Sequence, residues 1–288
     1  MKLLPKKFLD NSNFDYSLVT RAISGVIFIT IMVGALIGGY YTSLVLFSLI
    51  SYLGTLEFYK LAKAKAAPYF YLGSVFSTSL VLFAGYFIAN SQSYWVFSVW
   101  MLLGVAFVIK LLSKHSNTSI LDISSTISGA FYLAIPLVSL LVLGIYPTFE
   151  PANFNWQIPL SIFILTWVND TGAYLSGKNF GKTKLFERIS PNKTWEGSIG
   201  GGIFSIVGAI SLYYIWGLFS IPVWIGAAIL VSIFANLGDL MESAFKRNAN
   251  VKDSGNIMPG HGGILDRFDA ILLTAPVVLA YLLSLTDF

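Results

Sequence analysis

Nine apolar stretches of membrane length follow one another along this chain, at about 22–38, 41–61, 69–89, 94–112, 127–146, 158–177, 196–217, 222–245 and 265–284. A helix needs roughly 20 apolar residues to cross a bilayer, so the pattern predicts an all-α, polytopic integral membrane protein with about nine transmembrane helices. Charged residues are only 11% of the chain, against about 25% in a typical soluble domain, and a water-soluble fold of 288 residues could not hide that much apolar surface. The sequence has no cysteine, which excludes disulfides, thiolate metal sites and thiol nucleophiles.

Charge placement gives the spans a direction. All 18 Lys and Arg residues fall in alternate connections: Lys2, Lys6, Lys7 and Arg21; Lys60, Lys63 and Lys65; Lys110 and Lys114; Lys178 through Lys193; and Lys246 through Arg267. The remaining connections hold none, while Glu150 and Asp287 fall there. The positive-inside rule therefore predicts a cytoplasmic N-terminus and an outside C-terminus. Lys2, Lys6 and Lys7 lead into the polar run 10–17 rather than an apolar core, so the first span reads as an uncleaved anchor. Turns are expected at Gly38-Gly39, at 90–93 and at Ser220-Ile221-Pro222. The whole chain reads as one membrane domain. Residues 1–157 form scaffold or lipid-facing helices, and residues 158–288 form a working half with two cytoplasmic loops, 178–195 and 246–264.

Polar residues gather in four places. Asp170 and Tyr174 lie one turn apart at the inner end of the sixth span; Asp170 is either functional or a helix-end carboxylate that is solvated or paired with Lys178. The loop 178–195 is basic. Its Ser190-Pro191 reads as a helix start, which would put Lys193, Thr194 and Glu196 in the first turns, where a helix N-terminus and lysines suit a phosphate chain. The alternative is a basic loop lying on anionic headgroups.

The third place is the end of the eighth span, where Asp239, Glu242, Ser243 and Lys246 share one helix stripe. Asp239 sits two turns inside the apolar segment, and ionisable groups there need a reason; the bland alternative is a structural ion network. The fourth runs from Pro259 to Asp269. Gly260, Gly262 and Gly263 allow close backbone approach to a ligand. His261 either contacts phosphate or pins the glycine turn, and Asp266 and Asp269 face the same way at the start of the ninth span. Carboxylates on neighbouring helices suit a hard cation such as Mg²⁺, which is commonly held by one or two carboxylates plus substrate phosphates. Asp239 and Asp266 are the principal candidates, with Asp269 and Glu242 behind them. Arg267 either faces substrate or pairs with Glu242.

Residues 243–269, reading Ser243-x-Phe245-Lys246-Arg247, then Lys252-Asp253-x-Gly255, then Pro259-x-His261-Gly262-Gly263-Ile264-x-Asp266-Arg267-Phe268-Asp269, resemble the signature of the phosphatidate cytidylyltransferases, or CDP-diacylglycerol synthases. The segments 170–174 and 190–197 are similar to that family too. Met258 stands where the family usually has Leu, Ile or Phe, and Asn192 stands where Lys is common. The resemblance is close over the second half; the first half matches in hydropathy and length. It implies the reaction of CTP with phosphatidate to give CDP-diacylglycerol and diphosphate, in a bacterial inner membrane with the active site facing the cytoplasm. It also implies Mg²⁺, a monovalent cation such as K⁺ beside it, and a homodimer. By position, Asp239 and Asp266 resemble the family's metal-binding carboxylates. Asp239, Asp266, Lys246 and Arg267 are then the expected catalytic set. Asp170, Tyr174, Lys193, Thr194, Glu196, Ser243, Arg247, His261, Gly262 and Gly263 are expected at the substrates.

Two rivals remain at this level. A CTP-dependent polyprenol or phytol kinase would pass a γ-phosphoryl group to a lipid hydroxyl and release CDP. An ion transporter would place its charges near the midplane, commonly between repeated halves. Here the charges cluster at one face and no repeat is visible.

Overall fold

The computed structural model describes residues 10–62, 69–89, 105, 119–260 and 262–285. Among these residues are eight long helices: α1 (Asp10–Ile37), α2 (Tyr40–Ala62), α3 (Phe70–Ala89), α4 (Ile120–Ile145), α5 (Gln157–Phe180), α6 (Trp195–Trp216), α7 (Ile221–Asn248) and α8 (Leu265–Ser284). Seven of these, all but α5, are long and apolar enough to cross a membrane, and the protein is a mostly helical, multi-pass membrane protein. The span expected at 94–112 and the turn at 90–93 lie outside the described residues.

Helices α2, α3 and α4 pack together, as do α5, α6, α7 and α8, and the α4–α8 contact joins the two groups. Leu133, Leu137, Leu140, Phe163, Phe268 and Ala275 are buried at their meeting. Apolar burial alone is a weak force between helices in lipid, so interhelical hydrogen bonds and small residues matter. The Ser51 and Ser77 hydroxyls lie 2.7 Å apart. Ser77 Oγ also donates to the Ala130 carbonyl (2.9 Å), and Tyr40 Oη donates to that of Gly85 (2.6 Å). Helix α1 leans on α2 at the edge and leaves Ile23, Val26, Ile27 and Ile31 exposed, as a lipid-facing helix does.

Three local expectations need correction. Ser190 and Pro191 do not start a helix. They lie in strand β2 (Ser190–Thr194), paired antiparallel with β1 (Lys184–Phe186), so the described chain is not purely helical. Helix α6 begins at Trp195 instead, with Thr194 as its cap: Thr194 Oγ1 accepts the Gly197 N–H (3.1 Å). Second, α7 runs on to Asn248, so Lys246 and Arg247 lie in its last turn and the loop proper is 249–264. Third, α4 starts at Ile120 rather than near 127. Ser119 accepts from Asp122 N, and the Asp122 carboxylate accepts from Ser119 N, a capping box. The Gly38-Gly39 turn holds, with Gly39 at φ +101°.

Candidate active site

The carboxylate stripe on α7 forms as the helical period requires. Ser243 Oγ donates to Asp239 Oδ1 (3.2 Å), and Lys246 Nζ lies 3.4 Å from Glu242 Oε2. A Cβ at Gly238 would collide with the backbone of Asp269, so only glycine lets α7 and α8 approach this closely. That approach brings the backbone beside Asp239 against that of Asp269. Asp170 on α5 lines the same cavity as Asp239. The counter-charges are Lys193, 2.6 Å from Asp239 Oδ2, and Lys246.

Asp266 stands apart from this open cluster. Its Oδ1 accepts from Lys246 Nζ (2.7 Å). Its Oδ2 accepts from Gly263 N (2.7 Å), Ser254 N (2.9 Å) and Ser254 Oγ (2.9 Å). The carboxylate therefore ties the loop 249–264 to α8. Gly262, at φ +87°, and Gly263 are needed here because a Cβ would meet Asp266 or Glu57; the close approach these glycines allow is to the protein's own carboxylates.

Glu57, on α2 in the scaffold half, is the residue that sequence reasoning missed. It is 1% exposed. Its Oε2 accepts from Leu265 N (2.8 Å), capping α8, and from Ser254 Oγ (3.1 Å). Its signal was present, as the only acidic residue inside the second apolar stretch.

The hairpin forms the other wall. Glu196 accepts the backbone N–H of Lys182 (3.1 Å) and Thr183 (3.1 Å), and Lys184 Nζ donates to the Pro191 carbonyl (2.6 Å). Lys193 reaches across to α7, where Asn236 Oδ1 also accepts from it (3.4 Å). A cavity of about 450 Å³ opens between them, lined by Asp170, Tyr174, Lys178, Lys193, Thr194 and Asp239 among others. A second, of about 240 Å³, is lined by Asp170, Asp266, Arg267 and Asp269. Asp170 borders both. The structure thus brings together most of the expected set. Tyr174 is exposed with Lys178 Nζ 6.0 Å from its ring centre. Arg247 is exposed and donates to the Val251 carbonyl (3.3 Å), closing the turn after α7. Asp170 accepts from Asn169 Nδ2 (3.4 Å) rather than pairing with Lys178. Glu242 pairs with Lys246. His261 lies outside the described residues.

The donor set suits a hard cation: Asp170, Asp239, Glu242 and Asp269 offer oxygens only. Both Glu242 carboxylate oxygens are buried without a hydrogen-bond donor. Among the described residues no three such side chains converge as a ready-made metal cage. A cation here takes part of its shell from elsewhere, as Mg²⁺ does from substrate phosphates.

Comparison with known proteins shows the family of the chain. The cytidylyltransferase family model matches residues 19–285. The chain is 40% identical to the phosphatidate cytidylyltransferase of Staphylococcus aureus (strain COL) over 62% of its own length and 66% of that protein's. It is 37% identical to that of Staphylococcus haemolyticus (strain JCSC1435) over 66% and 72%. It is 36% identical to that of a Synechocystis strain (PCC 6803) over 92% and 96%. The alignment with the S. aureus relative thus spans just under two thirds of that protein, whereas the Synechocystis alignment spans nearly all of both chains. With the family model covering almost the whole chain, this protein belongs to the cytidylyltransferase family, among the phosphatidate cytidylyltransferases.

Proposed function

We propose that this enzyme transfers the cytidylyl group of CTP to phosphatidate, making CDP-diacylglycerol and diphosphate for phospholipid synthesis. The observation that carries the reading is a pair of cavities joined at Asp170, one with Asp239 and Lys193 and the other with Asp269 and Arg267, in a helical membrane bundle of this family. Phosphatidate's phosphate monoester has a second pKa of about 6, so its oxygen is largely ionised at neutral pH and needs no strong base. That oxygen attacks the α-phosphorus of CTP. One P–O bond forms, the bond to the β-phosphate bridge breaks, and diphosphate leaves with the electron pair. The work left to the protein is to bring two anions together in line and to stabilise the departing charge. Lys193 and Lys178 line the polar cavity where the CTP phosphates enter, and Lys246 holds Asp266 and Glu242 in place.

Mg²⁺ would sit at Asp239 and Asp269, with Glu242 behind them; Asp266 joins only by giving up Lys246. When bound, the ion neutralises phosphate charge and acts as a Lewis acid. A K⁺ ion beside it and a homodimer follow from the resemblance. The distribution of Lys and Arg supports nine spans in the bacterial inner membrane, with the N-terminus and both basic loops in the cytoplasm. Single cysteines at Lys184 and Glu150 are expected to label from opposite sides; labelling from one side overturns that topology.

The deciding assay uses purified protein, Mg²⁺, CTP labelled in the cytidine and phosphatidate. A labelled liponucleotide and released diphosphate are expected. Release of CDP with a newly phosphorylated lipid would identify a kinase, and cation flux into proteoliposomes without CTP turnover would identify a transporter.

A further inference from the structure

A groove of about 430 Å³ runs between α1 and α2, walled by Ile23, Ile27, Ile31, Met32, Leu49 and Leu53. From Thr20 to Met32 it follows about 18 Å of helix. At one end it shares Met258 and Pro259 with a polar cavity of about 430 Å³ that contains Arg21, Lys252 and Arg267. Arg267 also borders the smaller carboxylate cavity. Apolar groove, cationic cavity and carboxylates therefore adjoin one another in sequence.

The Arg21 corner is built into the fold. Ser24 Oγ donates to the Pro259 carbonyl (3.0 Å), fastening α1 to the signature loop. Gly260, at φ +73°, lies against the Arg21 stem, and a Cβ there would meet Arg21 Cγ. Among the described residues neither Arg21 nor Lys252 forms an ion pair, and Asp253 is the only carboxylate lining that cavity. Three cations against one carboxylate leave a formal charge of +2, matching a phosphate monoester of about −1.5 to −2. A second apolar groove, lined by Trp195, Ile199, Ile229 and Leu237, adjoins the hairpin cavity, but Lys193 on that side is already paired with Asp239.

We propose that Arg21, Lys252 and Arg267 hold the phosphate of phosphatidate while an acyl chain lies in the α1–α2 groove, so that the lipid approaches the carboxylates from the Arg267 side and the nucleotide from the Lys193 side. This rests on the reading of phosphatidate as substrate, and it assigns α1, a helix of the scaffold half, to substrate recognition. A guanidinium binds phosphate through two parallel N–H donors, so Arg21 is the residue whose loss is felt most selectively.

The test is photo-crosslinking of the full-length protein in micelles with phosphatidate carrying a diazirine in one acyl chain. Adducts are expected on 19–32 and 46–53; adducts confined to 195–206 and 229–240 would overturn the proposal in favour of the other groove. This map needs no turnover, so it stands apart from failure of the cytidylyltransferase reading, which would show as no liponucleotide from the wild-type protein. In kinetics, Arg21→Gln is expected to raise KM for phosphatidate about tenfold and leave KM for CTP unchanged, with Arg21→Lys in between. Equal effects on both substrates, or on neither, count against it. Should Arg21→Gln fold poorly, Ile27→Trp fills the groove instead: turnover of long-chain phosphatidate is expected to fall while that of a dihexanoyl substrate persists, and equal loss of both overturns the acyl assignment.

Discussion

Asp266 and Asp239 stand on adjoining helices at one end of the bundle, yet their surroundings are opposite. Asp266 is almost enclosed, with 7% of its side chain exposed, and receives Lys246, Gly263 N and two donors from Ser254. Asp239 has 38% of its side chain exposed, borders an open cavity, and is held by one lysine and one hydroxyl. The first carboxylate organises a loop and the second faces an open cavity. The contrast extends to their neighbourhoods: the loop 249–264 hangs on buried carboxylates, Glu57 and Asp266, whereas the hairpin is held from its exposed side by Glu196.

The largest effects should come from the carboxylates themselves. Asp239→Asn is expected to lower kcat/KM well beyond tenfold, more than about 1.4 kcal/mol of transition-state stabilisation, while thermal unfolding in detergent barely moves. Asp266→Asn is expected to lose activity as severely and also to destabilise the fold by about 3 kcal/mol, because it leaves Lys246 with only the longer Glu242 contact and deprives the loop donors of their charged acceptor. If both variants kept wild-type unfolding temperatures, Asp266 would be a ligand-facing residue like Asp239, and the distinction would collapse.

Glu57 sharpens the same comparison from the far side of the loop. Glu57→Ala removes the acceptor of Leu265 N and Ser254 Oγ. A loss of about 2 kcal/mol in stability is expected from the orphaned Leu265 N–H, since Ser254 Oγ keeps Asp266 as an acceptor, with kcat reduced and KM for CTP little changed. Glu57→Gln, which keeps an acceptor oxygen, should recover part of both. Full activity in Glu57→Ala would show that the loop needs no tie to α2.

Much of this site was legible in the sequence because it obeys local periods. Asp239, Glu242, Ser243 and Lys246 share a stripe by helical spacing alone, and Gly260 through Asp269 announce a tight loop entering a helix. Glu57 was not legible as a partner, since its hydrogen bonds reach 197 and 208 residues along the chain. Gly238 was equally silent: its role is set by the backbone of Asp269 on another helix. Ser190-Pro191 misled because one dipeptide serves two structures. Proline opens a helix well, lacking a donor there anyway, but it is equally tolerated in an edge strand that leaves its nitrogen unpaired. The β1–β2 pair is all edge, and the pairing of Lys184 with Thr194 puts the helix cap one turn later.

The smallest effect belongs to Glu196, and it tests whether the hairpin is as loosely held as the contrast requires. Its carboxylate lies in the first turn of α6, accepting from Lys182 N and Thr183 N, where negative charge is also favoured by the helix N-terminus. Glu196→Gln keeps an acceptor and loses the charge. Thr194 still caps α6 through Gly197 N, so the helix itself should persist and global unfolding should not shift measurably. The hairpin should open more often, with faster amide exchange across 182–194 and not across 252–266. Lys193 rides on that hairpin and reaches Asp239 from it, so KM for CTP is expected to rise about threefold at unchanged kcat. Faster exchange in both loops together would mean that the two walls move as one unit, and that the open cavity is gated by the signature loop as much as by the hairpin.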